Sequence, residues 1–528
     1  MTNNLNKIKH IVVLMLENRG FDNMAGWIYA DQQNKIDPGK VIPPGSEPTY
    51  NGLLNQNNQG YDNTKWCPEN NQAGAKKLYA QYGTTKSTFH SQYRLPAMDP
   101  HEEFNHMTYQ VFGPQSYDPH CDSPLPDPVT EQPPYGTPAT MQGFAIDYAT
   151  TIGEKHNAAE IMECYSPDQA NITAQLAKAY AISDDYYASC PTQTYPNRAF
   201  MAAGTSGGRV NNPDFHHEPT DPTIFNVLLD AQLESNSDDE DYSWCIYHSD
   251  FSLTKEHTGL LYNLPKDYHG SAFQSINSFY DACDPDKPGK LPAYSFLEPH
   301  YLPVLFDIKG ANSNHPPGFI SSGEKLVYDV YNALSGSEFW QDTLLIINYD
   351  EHGGCYDHQP PPWGATPPDS ASDPSTYPDA QGFRFDRFGV RVPMMMISPW
   401  VDTGVVFRSQ AEKPVLDHTS ILATILDWKS IDRSKLPSKR VQAACSLAHV
   451  ITGDGSTPNV TLQPPAGDDD PVVAEPDAPL TSLQRGIVYS LAISFQGSDY
   501  AEQSYQDVRT LKQFNDFYQK ISSSDGTS

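Results

Sequence analysis

Two short, unbroken apolar runs, far apart in the chain, end in the same way. Ile11 to Leu16 reads IVVLML and stops at Glu17-Asn18-Arg19-Gly20-Phe21-Asp22. Leu344-Leu345-Ile346-Ile347 leads through Asn348 and Tyr349 into Asp350-Glu351-His352-Gly353-Gly354, followed by Cys355-Tyr356-Asp357-His358. Runs this short and this apolar read as strands buried on both faces, the kind found in parallel sheets covered by helices. An open α/β sheet presents its ligands at the carboxyl ends of such strands. A solvated turn would explain one isolated Asp-Glu pair. Two strand ends of the same build, each with adjacent carboxylate or amide oxygens, instead predict one shared site for a divalent cation.

The rest of the chain fits an α/β enzyme with an appendage. At 528 residues it exceeds one minimal core, and 46 Pro and 34 Gly with 38% hydrophobic residues imply long ordered loops. A formal net charge of -31 argues against nucleic acid or an anionic membrane as partner. It leaves room for an anionic substrate in a cation-lined pocket, where the local charge is the ion's. No apolar stretch approaches the roughly 20 residues that cross a bilayer, so stable membrane insertion is not expected. The amino terminus has basic residues before an apolar run, but the run is short and no small-residue cleavage site follows, so it reads as the first strand. A cytoplasmic location, or export by a route without a signal peptide, is the matching expectation. Eight scattered cysteines show no CxxC pair, and no disulfide pairing can be assigned.

Strands and helices alternate. Residues 172–180 read as a helix leading into a strand at Ala181-Ile182-Ser183, and Ser295-Phe296-Leu297 is an apolar run before Glu298. Residues 323–334 have helical spacing, 390–398 read as a buried strand and 420–428 as a helix. Asp31 to Pro100 is polar and weakly periodic, an elaborated loop region. A catalytic domain over 1–453 is expected, then an extended, exposed linker over 454–480 that includes Pro464 to Pro471. A helical tail over 481–528 follows, with a capping box at Thr481-Ser482-Leu483-Gln484 and a second helix over Ala501 to Ile521. The tail is expected to pack on the catalytic domain and to bring no chemistry of its own.

Between the two acidic strand ends lies Cys190-Pro191-Thr192-Gln193-Thr194-Tyr195-Pro196-Asn197-Arg198. With Glu17 to Asp22 and Asp350 to Gly354, this segment resembles the phosphoesterase family of bacterial and plant non-specific phospholipases C and an acid phosphatase. The resemblance spans most of 8–450: Asp99-Pro100-His101, His315, Arg391-Val392-Pro393 with Ile397-Ser398-Pro399, and Asp417-His418-Thr419-Ser420 follow in the family's order. It implies an α/β, alkaline-phosphatase-like fold with a mainly parallel sheet sandwiched by helices. It also implies a metal-dependent phosphoester hydrolase, phospholipase C activity being favoured slightly over acid phosphatase activity on monoesters.

Residue by residue, the resemblance implies one divalent ion (calcium, magnesium, manganese or zinc) held by Glu17, Asn18, Thr194, Asp350 and Glu351. Thr194 is then the nucleophile, forming a phosphothreonine that water hydrolyses. A threonine hydroxyl is a poor nucleophile near neutrality, and a coordinated cation stabilises its alkoxide. His315 is the expected general acid, His101 a second catalytic histidine, and Asn197 a donor to the phosphoryl oxygens. His248 is a further pocket candidate, whereas His352, Asp357 and His358 read as supporting loop residues. The expected substrate is a phosphoester, with phospholipids among the candidates. Gly20 departs from the family pattern, which has a serine there. Thr192 is a second hydroxyl close by; Thr194 matches the family's spacing to the proline.

Gly204-Thr205-Ser206-Gly207-Gly208 fits GxSxG, the serine-esterase elbow, but the preceding Phe200-Met201-Ala202-Ala203 is helix-like where the elbow needs a strand. A catalytically silent relative that only binds metal or ligand is a further alternative.

Overall fold

The computed structural model describes residues 4–54, 60–62, 77–79, 81–82, 93–113, 132–152, 158–212, 221–235, 240–249, 252–257, 269–287, 289–302, 311–375, 381–456, 460–467 and 476–524. Both apolar runs are strands of one sheet. Its members are β1 (His10–Leu16), β2 (Val41–Ile42), β3 (Ala181–Ser183), β4 (Trp244–His248), β5 (Phe273–Ser275), β6 (Tyr294–Leu297), β7 (Thr343–Tyr349), β8 (Met394–Ile397) and β9 (Val405–Phe407). They lie in the order β5-β4-β6-β1-β7-β8-β3-β9-β2, a nine-stranded sheet. Every neighbouring pair is parallel except those made by β8, which runs against both β7 and β3. The sheet is therefore mainly parallel, as expected, with one reversed strand inside it. Residues 390–398 read as one strand, yet only Met394–Ile397 pair in the sheet.

The two central strands explain the length of the apolar runs. Residues 11–16 of β1 and all of β7 are buried, because helices cover both faces of the sheet and no polar alternation is tolerated. The helices that matter here are α1 (Phe104–Phe112), α2 (Phe144–Ile152), α3 (Asn171–Ala179), α4 (Thr194–Ala203), α5 (Ile320–Ser335) and α6 (His418–Trp428). Three more close the chain: α7 (Ser482–Gln496), α8 (Ser498–Asp507) and α9 (Leu511–Ser524). Helix α4 packs on α6, and α3 on α5. Among the described residues no helix is long and apolar enough to cross a membrane.

The tail has three helices where the sequence reading had two. Thr481 opens α7 with the expected capping box, its hydroxyl accepting from Gln484 N while the Gln484 side chain accepts from Thr481 N. The helix read over Ala501 to Ile521 breaks into α8 and α9. Leu480 N donates to Arg509 O and Leu511 N to Ala478 O, and that short ladder requires extended backbone at 508–510. The apolar faces of the three helices form one cluster with Tyr195, Leu253, Tyr301 and Leu302 of the larger body.

The segment before the tail is anchored, not free. Val460 N donates to Tyr331 Oη, Ala466 N to Asn171 Oδ1, and Leu462 is buried. Residues 468–475 of the expected linker lie outside the described residues, as does most of the loop region between 55 and 92. The six described cysteines are buried free thiols; Cys67 and Cys121 lie outside the described set.

Candidate active site

The register of β1 and β7 places Leu16 opposite Tyr349, so Glu17 and Asp350 stand side by side one residue past the two strand ends. Asn18 turns the chain at φ 51°, a left-handed conformation that asparagine tolerates better than most residues. Its backbone N–H donates to Asp350 Oδ1 at 3.0 Å, tying the two strand ends together. Gly353 must be glycine for two reasons. Its φ is 60°, and a Cβ there would sit 2.0 Å from Asn18 O. The paired glycines after Asp350-Glu351 thus let the second loop lie flat against the first.

Thr194 is the first residue of α4, and its Oγ1 donates to Glu17 Oε2 and Asn18 Oδ1, both at 3.3 Å. Glu17, Asn18, Thr194, Asp350 and Glu351 are all fully buried. Thr192 faces elsewhere, its hydroxyl donating to Val210 O. Asn197, expected as a phosphoryl donor, is committed to the loop before the helix. Its Nδ2 donates to Cys190 O, Thr192 O and Gln193 O at 2.8–3.1 Å, and its Oδ1 accepts from Cys190 N. That side chain holds Gln193 and Thr194 in place.

Arg198 was not given a role by sequence reading, although it lies four residues after Thr194 and hence on the same face of α4. Its guanidinium grips Glu17 Oε1 through Nε, at 2.8 Å, and Nη2. The same group lies 3.7 Å from Asp350 Oδ2 and 3.6 Å from Glu298 Oε1, and rests over the Tyr301 ring. Glu298, at the end of β6, accepts from Ser252 Oγ, Thr254 N and Thr254 Oγ1. Three parallel strands therefore each deliver a carboxylate to one edge.

The donor set fits a cation. Burial, above all, raises Glu17 and Glu351 well above the usual carboxylate range and raises Asp350. Among the described residues Asp350 Oδ2 and Glu351 Oε1 are buried without a hydrogen-bond partner. One guanidinium cannot neutralise three adjacent buried carboxyls, whereas a divalent ion can. Glu351 Oε2 is spent on Gly353 N at 2.6 Å, which aims the carboxyl.

His315 is buried beside Asn18. Its Nδ1 donates to Pro316 O at 2.5 Å, so Nε2 carries the lone pair, and it accepts from Asn18 Nδ2 at 3.0 Å. Burial pushes this histidine down to about 4. The loop is fixed by Arg19, which donates to Asn314 O, Leu95 O and Gly318 O.

His101 takes another direction. It stacks on His106 with 3.8 Å between centroids and lies 3.5 Å from Glu103, about a third exposed. The neighbouring Glu102 is the side chain that turns inward. It is fully buried, and its Oε1 accepts from Asn18 Nδ2 at 2.6 Å. The family resemblance points to the histidine of this segment. A one-residue step reverses the direction of a side chain in extended backbone, and nothing in the local pattern fixed the phase.

The other histidines support loops. His418 Nε2 donates to Asp350 O at 2.7 Å while its Nδ1 accepts from Tyr186 Oη. His352 Nε2 pairs with Gln110 Oε1 at 2.9 Å. Asp357 and His358 join Asp22 and Arg391 in a buried ionic network that staples the two site loops. His248 ends β4, which β6 separates from β1. Ser206 donates to Arg209 O, and the residues before Gly204 are helix α4, so the GxSxG segment makes no strand-to-helix elbow.

A hydroxyl set against carboxylate and amide oxygens at the carboxyl edge of a parallel sheet is an arrangement that could serve ester hydrolysis. The particular family follows from comparison: the chain belongs to the Phosphoesterase family, whose sequence profile matches residues 8–430, and it is a hydrolase of phosphoric esters. Non-specific phospholipase C3 of Arabidopsis thaliana is 30% identical over 496 residues, covering 92% of this chain and 82% of that protein. Non-specific phospholipase C5 of the same plant is 32% identical over 453 residues, covering 84% and 74%. Phospholipase C B of Mycobacterium tuberculosis is 28% identical over 294 residues, covering 51% and 52%. A solved structure in the alkaline phosphatase superfamily from Vibrio parahaemolyticus is 11% identical, with a TM-score of 0.28, over 53% of this chain and 65% of that one.

Proposed function

We propose that this enzyme cleaves phosphodiesters in the manner of a phospholipase C, through a phosphothreonine at Thr194, with a divalent cation held by Glu17, Asn18, Thr194, Asp350 and Glu351. The observation that carries this reading is the Thr194 hydroxyl, buried at the head of α4 and 3.3 Å from ligands on both sides. The names of the plant and mycobacterial relatives favour the diester substrate. The oxygen-rich donor set favours calcium, magnesium or manganese over zinc.

When bound, the cation lowers the pKa of the hydroxyl and offsets charge that develops on the phosphoryl oxygens. Glu17 Oε2, which accepts from Thr194 Oγ1, is placed to take its proton. Thr194 Oγ1 then bonds to phosphorus as the bond to the leaving alcohol breaks. The positive end of the α4 dipole faces the phosphoryl group. Arg198 keeps Glu17 aimed, and Asn18 presents its Oδ1 to the hydroxyl. Water releases phosphate ester from Thr194 in the second half of the cycle. His315, with a lone pair at Nε2 in the resting geometry, meets the leaving oxygen only after it has taken up a proton or a ligand there.

Turnover of phosphatidylcholine and of p-nitrophenyl phosphate, measured side by side with and without chelator, tests the reading. Expected are faster cleavage of the diester, loss of both activities on chelation, and a trapped phosphothreonine absent from Thr194→Ala. Faster turnover of the monoester would move the assignment to an acid phosphatase. Full activity in Thr194→Ala, with none in Thr192→Ala, would overturn the nucleophile.

A further inference from the structure

Next to the Thr194 centre lies a second group of side chains, of which its chemistry uses only His315. Asp99, Glu102 and His315 each offer one ligand atom, all within 4.8 Å of one another. Glu102 Oε1 lies 3.3 Å from His315 Nε2, and Asp99 Oδ1 lies 3.5 Å from His315 Nδ1. Glu102 is fully buried, and among the described residues neither its Oε2 nor Asp99 Oδ1 has a hydrogen-bond partner. The nearby Arg19 directs its hydrogen bonds to three backbone carbonyls and Asn23 Oδ1, not to these carboxylates. Buried carboxylates here call for a counter-charge, and among the described residues no Lys or Arg forms an ion pair with either one, only His315 lying close.

We infer that Asp99, Glu102 and His315 hold a second divalent cation beside the Thr194 centre. Two carboxylates and an imidazole suit zinc, manganese or iron(II), a softer set than the all-oxygen ligands of the first site. Asn18 joins the two sites: its Oδ1 meets Thr194 and its Nδ2 meets Glu102, while its bond to His315 Nε2 gives way when that lone pair takes the cation. Asp99 is held in place from outside, its Oδ2 accepting from Ser482 N at 2.8 Å. The inference rests on the Thr194 reading and alters one part of it. His315 becomes a ligand, and a cation in place of a proton meets the charge on the leaving oxygen.

The test is a metal count on the full chain, stripped with chelator and then dialysed against zinc or manganese(II). It is run in His106→Ala, so that the surface group of His101, Glu103 and His106 does not contribute. Two ions per chain are expected in this background, falling to one in Glu102→Gln and also in Asp99→Asn, each with unchanged circular dichroism. Manganese(II) should give an exchange-coupled paramagnetic resonance spectrum that reverts to a single-ion spectrum in Glu102→Gln, a readout independent of activity. One ion per chain, unchanged by Glu102→Gln, would mean that a shared proton replaces the second cation; the inference then falls while the Thr194 centre stands. No tightly held ion at all would remove both.

Discussion

The buried charges of this site depend on single side chains. Arg198 is the guanidinium that Glu17, Asp350 and Glu298 share, and each carboxylate is fully buried. Arg198→Met should destabilise the protein by about 3–5 kcal/mol, the usual cost of leaving a buried partner uncompensated, read as a lower urea midpoint. Gly353→Ala meets both a positive φ and Asn18 O at 2.0 Å. Its expected effect is a loss of about 1–3 kcal/mol together with weaker cation binding, measured by melting with and without manganese. An unchanged affinity would show that the two loops can separate without disturbing the site.

At the level of elements, one helix caps another. Helix α3 has no side-chain cap of its own. Glu324 of α5 supplies it, accepting from Ile172 N at 2.6 Å, Thr173 N at 2.9 Å and Thr173 Oγ1 at 2.5 Å. Burial outweighs those bonds and raises Glu324 from 4.5 to about 7. The folded chain then keeps a proton that the unfolded chain releases, so stability falls as pH rises from 4.5 to 7 and levels off above that. The shift corresponds to on the order of 3 kcal/mol. Unfolding of wild type and Glu324→Gln across this range should show the slope in the first and a flatter profile in the second.

The same scale shows what the sequence could tell. The strands β1 and β7 and the carboxylates after them were legible because a buried parallel strand must be apolar throughout and ends where polar residues begin, whereas Thr194 stood out only through the family resemblance. Helices α3, α5 and α6 were legible from their period. The reversed strand β8 was not, since a buried strand has the same composition in either direction. Glu102 was missed because the resemblance pointed to His101 beside it. The commitment of Asn197 to three carbonyls is a contact among irregular backbone, and no periodic pattern announces it.

For the whole molecule, the tail lies against the site. Ser482 Oγ accepts from Gln193 Nε2 at 2.6 Å, and Gln193 is the residue that precedes Thr194 at the head of α4. A Cβ at Gly486 would stand 2.8 Å from Tyr195 Oη, so α7 and α4 approach closely. Gly486→Leu should push the two helices apart and lower turnover about 10²-fold, the scale of a misplacement of roughly 1 Å. Its melting temperature should fall much less, because most of the core lies elsewhere. Equal losses in both would mean that α7 acts on stability alone.

The Ser482 contacts join residues 289 and 383 positions apart. Chains leave the ribosome amino terminus first, and their domains fold in that order. The sheet and the loop of Thr194 are thus made long before the helix that braces them. A nascent chain that has not yet reached α7 holds the sheet and the Thr194 loop without the Ser482 contacts to Gln193 and Asp99.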